Sequence, residues 1–287
     1  MYAFDLDCCR FVLAISSSAS PASVGIYDSR GRRLWTYVEA SLKTGEGLLG
    51  ALAKAIHSQA FDVDAMIVDC GPGQFTGLRA GIGLAQGLGL GWNIPVLPVD
   101  SASMMAWSAK RLFRTSSSGA RSQSDCFKIL TVKDARLGAF YVGAFDSVDA
   151  LISARTPAVR ELKFEPLMEL IASQEGFDDP LFIVSDDSSM SRIAQSQQFR
   201  LADSQLADSS LHLCALPGPA ELLDALVELG LERLGFHFSH QDWEIAATAL
   251  PSALLSAERL QPYYVRHEVA LDLSAQRALR RAQSHAT

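Results

Sequence analysis

Gly71, Pro72 and Gly73 stand between a buried apolar run, Ala65 to Val68, and a stretch with helical spacing. Backbone amides at such a junction can cradle an anion, because the first turn of a helix leaves N–H groups without intrahelical partners. Gly71, Gly73 and Thr76 are therefore the candidate residues of an anion or nucleotide loop. The loop departs from both common phosphate-binding patterns. No G-K-[ST] follows it, and Thr76 stands where a G-x-G-x-x-G needs its third glycine. Glycines that only turn the chain sharply would look the same.

Other reactive arrangements are thin. His237 and His240 form an H-x-x-H rather than a helical i, i+4 pair, and no acidic or histidine ligand accompanies them, so no metal site is expected. His57 and His267 are isolated, and no G-x-S-x-G occurs. The five cysteines, Cys8, Cys9, Cys70, Cys126 and Cys214, are odd in number and include no C-x-x-C. Neither a disulfide framework nor a zinc site is expected, and a reducing compartment fits. Cys8 and Cys9 read as a surface thiol pair in an N-terminal extension. No catalytic residue is assigned.

The helix after the loop is the more informative element. "GLRAGIGLAQGLGLGW" carries Gly81, Gly83, Gly87 and Gly89 in its interior. Each costs about 1 kcal/mol against alanine in a helix. Gly77, Gly81 and Ala85 make one smooth stripe at i, i+4, i+8, and Gly83, Gly87 and Gly91 make a second. Such stripes let a neighbouring backbone approach closely. One stripe can face the sheet. The other needs the preceding helix or another protein chain, and Arg79, Gly83, Leu84, Gly87 and Leu88 are the candidate interface residues.

These residues need a scaffold, and the chain is long enough to supply one. Its 287 residues are 48% hydrophobic and 20% charged, which allows a substantial core and two lobes. A net charge of −7 disfavours nucleic acid as a sole, direct partner, since binding there rests on phosphate neutralisation. The N-terminus lacks a basic region, and "FVLAI" is too short for a signal core or a membrane span. A soluble, cytoplasmic chain is expected.

"FVLAI" (Phe11–Ile15), Ser23–Tyr27 and Leu34–Val38 read as three strands joined by turns. Leu48, Leu49, Leu52, Ala55 and Ile56 have helical spacing. Strand, glycine helix, strand and helix follow, which predicts a mixed sheet covered by helices. Arg114–Asp125 is serine-rich and reads as a mobile loop. The second half restarts at "FKILTVKDARLGAFYVGAF" and repeats the logic more loosely, with "LFIVSDD" (Leu181–Asp187) as a further strand. Gly218–Gly235 spans an amphipathic helix with Pro219 near its start.

"GPGQFTGLRAGIGLAQGL" closely resembles the G-P-G-S-F-T-G-[LV]-R-x-G-x-x-x-A-[KQ]-G-L signature of the TsaB family. "FVLAISSSASPASVGIYD", "DARLGAFYVGAF" and "QPYYVRHEVA" resemble further family motifs in the right order, so the likeness brackets residues 11–270. It implies an α/β, two-lobed actin-like (ribonuclease H-like) fold of mixed sheets flanked by helices. Residues 1–108 would form the N-terminal lobe and 109–287 the C-terminal lobe, with helix 219–234 packing back on the first. It implies a non-catalytic assembly subunit that supports TsaD in threonylcarbamoylation of tRNA adenosine. TsaE would be a third partner, the isolated chain a homodimer, and tRNA only an indirect partner. The glycine helix would pack against TsaD or a second copy. No cofactor of its own is implied, and ATP would sit at the interface with TsaD.

The chain departs from the family at Ser16, where L-A-I-D-T-S has Asp. Actin-like ATPases use a carboxylate in this loop to hold metal-bound nucleotide, so the change argues against independent hydrolysis. Gly45-Glu46-Gly47 lacks the histidine usual before the first helix. Stretches 114–125, 185–210 and 236–258 read as insertions. The rival readings are a TsaD-like transferase, whose H-x-x-x-H metal motif is missing from the sequence, and a stand-alone nucleotide-binding module.

Overall fold

The computed structural model describes residues 9–39, 46–59, 61–116, 128–146, 151–152, 159–173, 181–196, 211–234, 236–237, 244–245 and 254–265. The run FVLAIS forms β1 (Phe11–Ser16), with both faces buried. Leu13 and Ile15 enter one core and Val12 and Ala14 another, which is the two-residue period of a central strand. β2 (Ala22–Asp28) pairs with it antiparallel, and β3 (Arg33–Glu39) pairs antiparallel with β2 at the edge. β4 (Ala65–Asp69) and β5 (Val96–Val99) continue on the other side in parallel, giving the order β3-β2-β1-β4-β5. Parallel steps need crossovers, which α1 (Glu46–Gln59) and α2 (Phe75–Trp92) supply.

The helix α3 (Ser101–Ser116) then leads to a second sheet built the same way. β6 (Lys128–Asp134), β7 (Ala139–Phe145) and β8 (Arg160–Lys163) form the antiparallel part. α4 (Phe164–Ser173) precedes β9 (Leu181–Ser185), which is parallel to β6, and α5 (Asp187–Gln195) precedes β10 (Leu211–Ala215), parallel to β9. In both sheets the strands run third, second, first, fourth, fifth. This duplicated mixed sheet flanked by helices is the two-lobed actin-like arrangement.

Helix α6 (Pro219–Arg233) belongs to the second half in sequence but packs across the first sheet and against α3. A Cβ at Gly230 would press on Ile67, and Tyr27 donates its hydroxyl hydrogen to Asp224 at 3.0 Å. At its end Arg233 faces Asp100 at 3.5 Å, both side chains buried, and donates to the Leu151 carbonyl. Asp100 also accepts from the Ser103 amide at 2.7 Å, in the first turn of α3. Burial pushes the Asp100 carboxyl up in pKa, against the pull of Arg233.

Several expectations change here. The 108/109 division falls inside α3, which runs unbroken to Ser116; the rest of the serine-rich stretch, 117–125, lies outside the described residues. Stretch 185–210 is not simply an insertion, because Asp186 caps α5, accepting from the Ser189 amide. Residues 197–210 lie outside the described set. Stretch 236–258 is likewise part of the fold at its end. Leu255 bridges to Val96 and Ala257 packs under α2. Cys9 is buried rather than on the surface, and burial pushes its thiol up to about 12, while Cys8, Cys126, His240 and His267 lie outside the described residues.

The candidate functional site

Helix α2 separates its two stripes cleanly. Gly77, Gly81, Ala85 and Gly89 are buried. A Cβ at Gly81 would collide with Ser17 Oγ, and one at Gly89 would lie 2.5 Å from Ala257 Cβ and 2.9 Å from Met66 Cε. The inward stripe therefore lets α2 lie close on β1, β4 and the Ala257 turn. Gly83, Gly87 and Gly91 are exposed, and a Cβ at any of them would meet nothing within 4 Å. Leu84 and Leu88 flank this stripe but are half-buried, resting against the first-lobe core. The large apolar groups that stand free beside it are Leu90, 60% exposed, and Trp92, 38% exposed. Sequence reasoning missed both, although each sits one position from a glycine of the outward row. Arg79 is exposed, but it is already engaged. Its guanidinium lies 3.8 Å over the Phe75 ring, and Nε donates to the Tyr264 hydroxyl at 3.0 Å.

The loop at the head of α2 is tightly seated. Gly71 has φ +97°, a conformation that side chains resist, and a Cβ there would press on Leu78. A Cβ at Gly73 would run into the Ser18 carbonyl. That carbonyl accepts the Gln74 amide at 2.7 Å, so this N–H is already committed. Thr76 is exposed at the rim of a cleft of about 390 Å³, bounded by the loop, the β6–β7 turn, Tyr141 and Tyr263. The turn carries Arg136 (φ +65°) and Leu137 (φ +53°), both non-glycine residues in the left-handed region. Asp134 Oδ1 accepts the Arg136 amide at 2.9 Å, an Asx turn that stabilises the bend.

Residues 43–174 match the family described as TsaD: tRNA N6-adenosine threonylcarbamoyltransferase. The Haemophilus influenzae tRNA threonylcarbamoyladenosine biosynthesis protein TsaB is 26% identical over 208 residues, 72% of each chain. Its Escherichia coli counterpart is 38% identical over 80 residues, which span 28% of this chain and 30% of that protein. The solved structure of YeaZ from Pseudomonas aeruginosa superposes with TM-score 0.57 over 89% of this chain and 99% of that one, at 22% identity. The chain is thus similar in sequence to TsaB proteins and shares the fold of YeaZ. No helix among its described residues is long and apolar enough to cross a membrane.

Against the TsaB signature, the end of β1 is one place where this chain differs. Ser16 replaces the aspartate, and its hydroxyl donates to Asp69 Oδ2 at 2.9 Å. A carboxylate is thus still present, at the end of the neighbouring strand. Asp69 is fully buried and heavily bonded. Ser18 Oγ donates to Oδ2, and Ser101 Oγ, at 2.6 Å, and the Gly71 amide, at 3.0 Å, donate to Oδ1. Lys133 enters from β6 and donates to Ser18 Oγ at 2.7 Å and the Pro72 carbonyl at 3.1 Å. Burial pushes the Lys133 ammonium down in pKa, while Asp69 and Asp186 pull it back up. None of Ser18, Asp69 or Lys133 was singled out in the sequence. A carboxylate closing an apolar strand, and a lysine near the end of another, were the available signals, since unpaired charges are rarely buried.

Proposed function

We propose that this chain is the non-catalytic subunit that holds a TsaD-type transferase in the threonylcarbamoylation of tRNA adenosine, and that the outward stripe of α2 is the surface it uses. The single observation that carries this reading is the open stripe of Gly83, Gly87 and Gly91 beside exposed Leu90 and Trp92. A helix gives up about 1 kcal/mol for each interior glycine. The inward row recovers its cost by close packing within the chain. The outward row has no neighbour among the described residues, so its close approach is reserved for another helix. The names of the TsaB relatives and the TsaD family match supply the reaction.

In this reading Arg79, Gly83, Leu84, Gly87 and Leu88 lie in the interface. A homodimer forms through the same face when the partner is missing. TsaE joins as the third protein, ATP sits at the interface with TsaD near Gly71, Gly73 and Thr76, and tRNA is held by the partner. The whole assembly is cytoplasmic. Reconstitution tests the proposal. The pure chain should turn over neither ATP nor a threonylcarbamoyl donor, and adding it to its cognate TsaD-type transferase should raise modification of tRNA. Turnover by the chain alone, or a transferase indifferent to it, would contradict the reading.

A further inference from the structure

The duplicated topology brings equivalent positions to one point between the sheets. Ile15 pairs with Val68, which sets Ser16 beside Asp69 at the strand ends. Val132 pairs with Ser185, which sets Lys133 beside Asp186. Ser16 and Lys133 thus hold the same place in the two sheets, as do Asp69 and Asp186. Yet Lys133 does not make its bonds at home. Both of its acceptors, Ser18 Oγ and the Pro72 carbonyl, lie in the first lobe, on the loops β1–β2 and β4–α2. Ser18 spends its hydroxyl hydrogen on Asp69, so its lone pair is free for the ammonium. The charge of Lys133 therefore reaches Asp69 through one serine, while Asp186 remains its carboxylate on the second-lobe side.

We infer that Lys133 is an interlobe latch, an ammonium of the second lobe that binds the two first-lobe loops and fixes the floor of the cleft without any ligand. Charge-assisted bonds of this kind are the stronger ones, and shielding from water raises their weight. The consequence is directional. Loss of Lys133 should loosen the first lobe's loops rather than its own sheet.

Hydrogen exchange on the full chain tests this, comparing the wild type with Lys133→Met and Lys133→Arg. Lys133→Met should speed exchange about tenfold in peptides covering residues 16–22 and 71–74, including the Gln74 amide that donates to Ser18, through easier local opening. Peptides from β7 and β9 should keep their rates, and Lys133→Arg should retain part of the protection. Ser18→Ala removes the acceptor from the other side and should loosen the same two loops. Unchanged first-lobe exchange in either variant, loss confined to the second lobe, or loss of protection in both lobes together would overturn the latch.

Discussion

The two lobes solve the same step, from fourth strand to following helix, in opposite ways. In the second lobe, β9 passes straight into the nine-residue α5, and Asp186 caps it with bonds from the Ser189 amide and the Ser188 and Ser189 hydroxyls. In the first lobe, β4 passes through a glycine loop into the 18-residue α2, whose Gln74 cap makes no side-chain bond and whose interior is full of glycine. The second helix is built for its own stability. The first gives up intrinsic stability for proximity, and half of that proximity is used inside the chain while the other half faces outward. What distinguishes the lobes is therefore what each fourth-strand helix is required to touch, rather than topology.

The largest effect should come from filling the inward stripe. Gly81→Leu would drive a side chain into Ser17 and Ile15 and should lower stability by about 3 kcal/mol, the upper end for overpacking, as read by denaturant or thermal unfolding. An unchanged melting point would mean that α2 is not seated on β1 as described. A smaller effect is expected at the capped helix. Asp186→Ala should cost about 1 kcal/mol, the usual value of an N-cap. Burial pushes the Asp186 carboxyl up, but its bonds from Ser188, Ser189 and Asp134 outweigh this and hold it below its ordinary 3.8. Its contribution is therefore full above pH 3.8 and is lost as the pH falls toward its lower folded value. The gap between wild type and Asp186→Ala should accordingly close in acid unfolding curves, and a gap that widened in acid would reverse the sign. The smallest effect belongs to Gly50, exposed on α1 with nothing within 4 Å of an added Cβ. Gly50→Leu should gain up to about 0.7 kcal/mol of helix propensity and leave assembly untouched.

The first sheet was legible almost to the residue, because short apolar runs and turn signals mark each strand of "FVLAIS", "ASVGIYD" and "AMIVD". The division of α2 into two stripes was legible for the same reason, since a helical period assigns faces without tertiary knowledge. Helix α5 was not. Its nine residues are mostly polar and bury only Ser189 and Ile193, so too few apolar positions mark a face, and the Asp186 cap is the local signal for it. The turn at Ala257 was hidden because its role is a contact with Gly89, far away in sequence. Lys133 and Asp69 were hidden too, since only the folded sheets bring the ends of β4 and β6 together.

The most direct test of the docking face is Gly87→Leu, with Gly50→Leu as its control. Each would be examined by sedimentation alone and with the cognate TsaD-type transferase, and by melting. If the outward stripe receives a partner helix, Gly87→Leu keeps or slightly raises the melting temperature. Its association weakens about ten- to a hundred-fold through overpacking at the contact, while Gly50→Leu assembles as the wild type does. A Gly87→Leu chain that binds its partner with unchanged affinity would contradict the claim that this face holds the complex together.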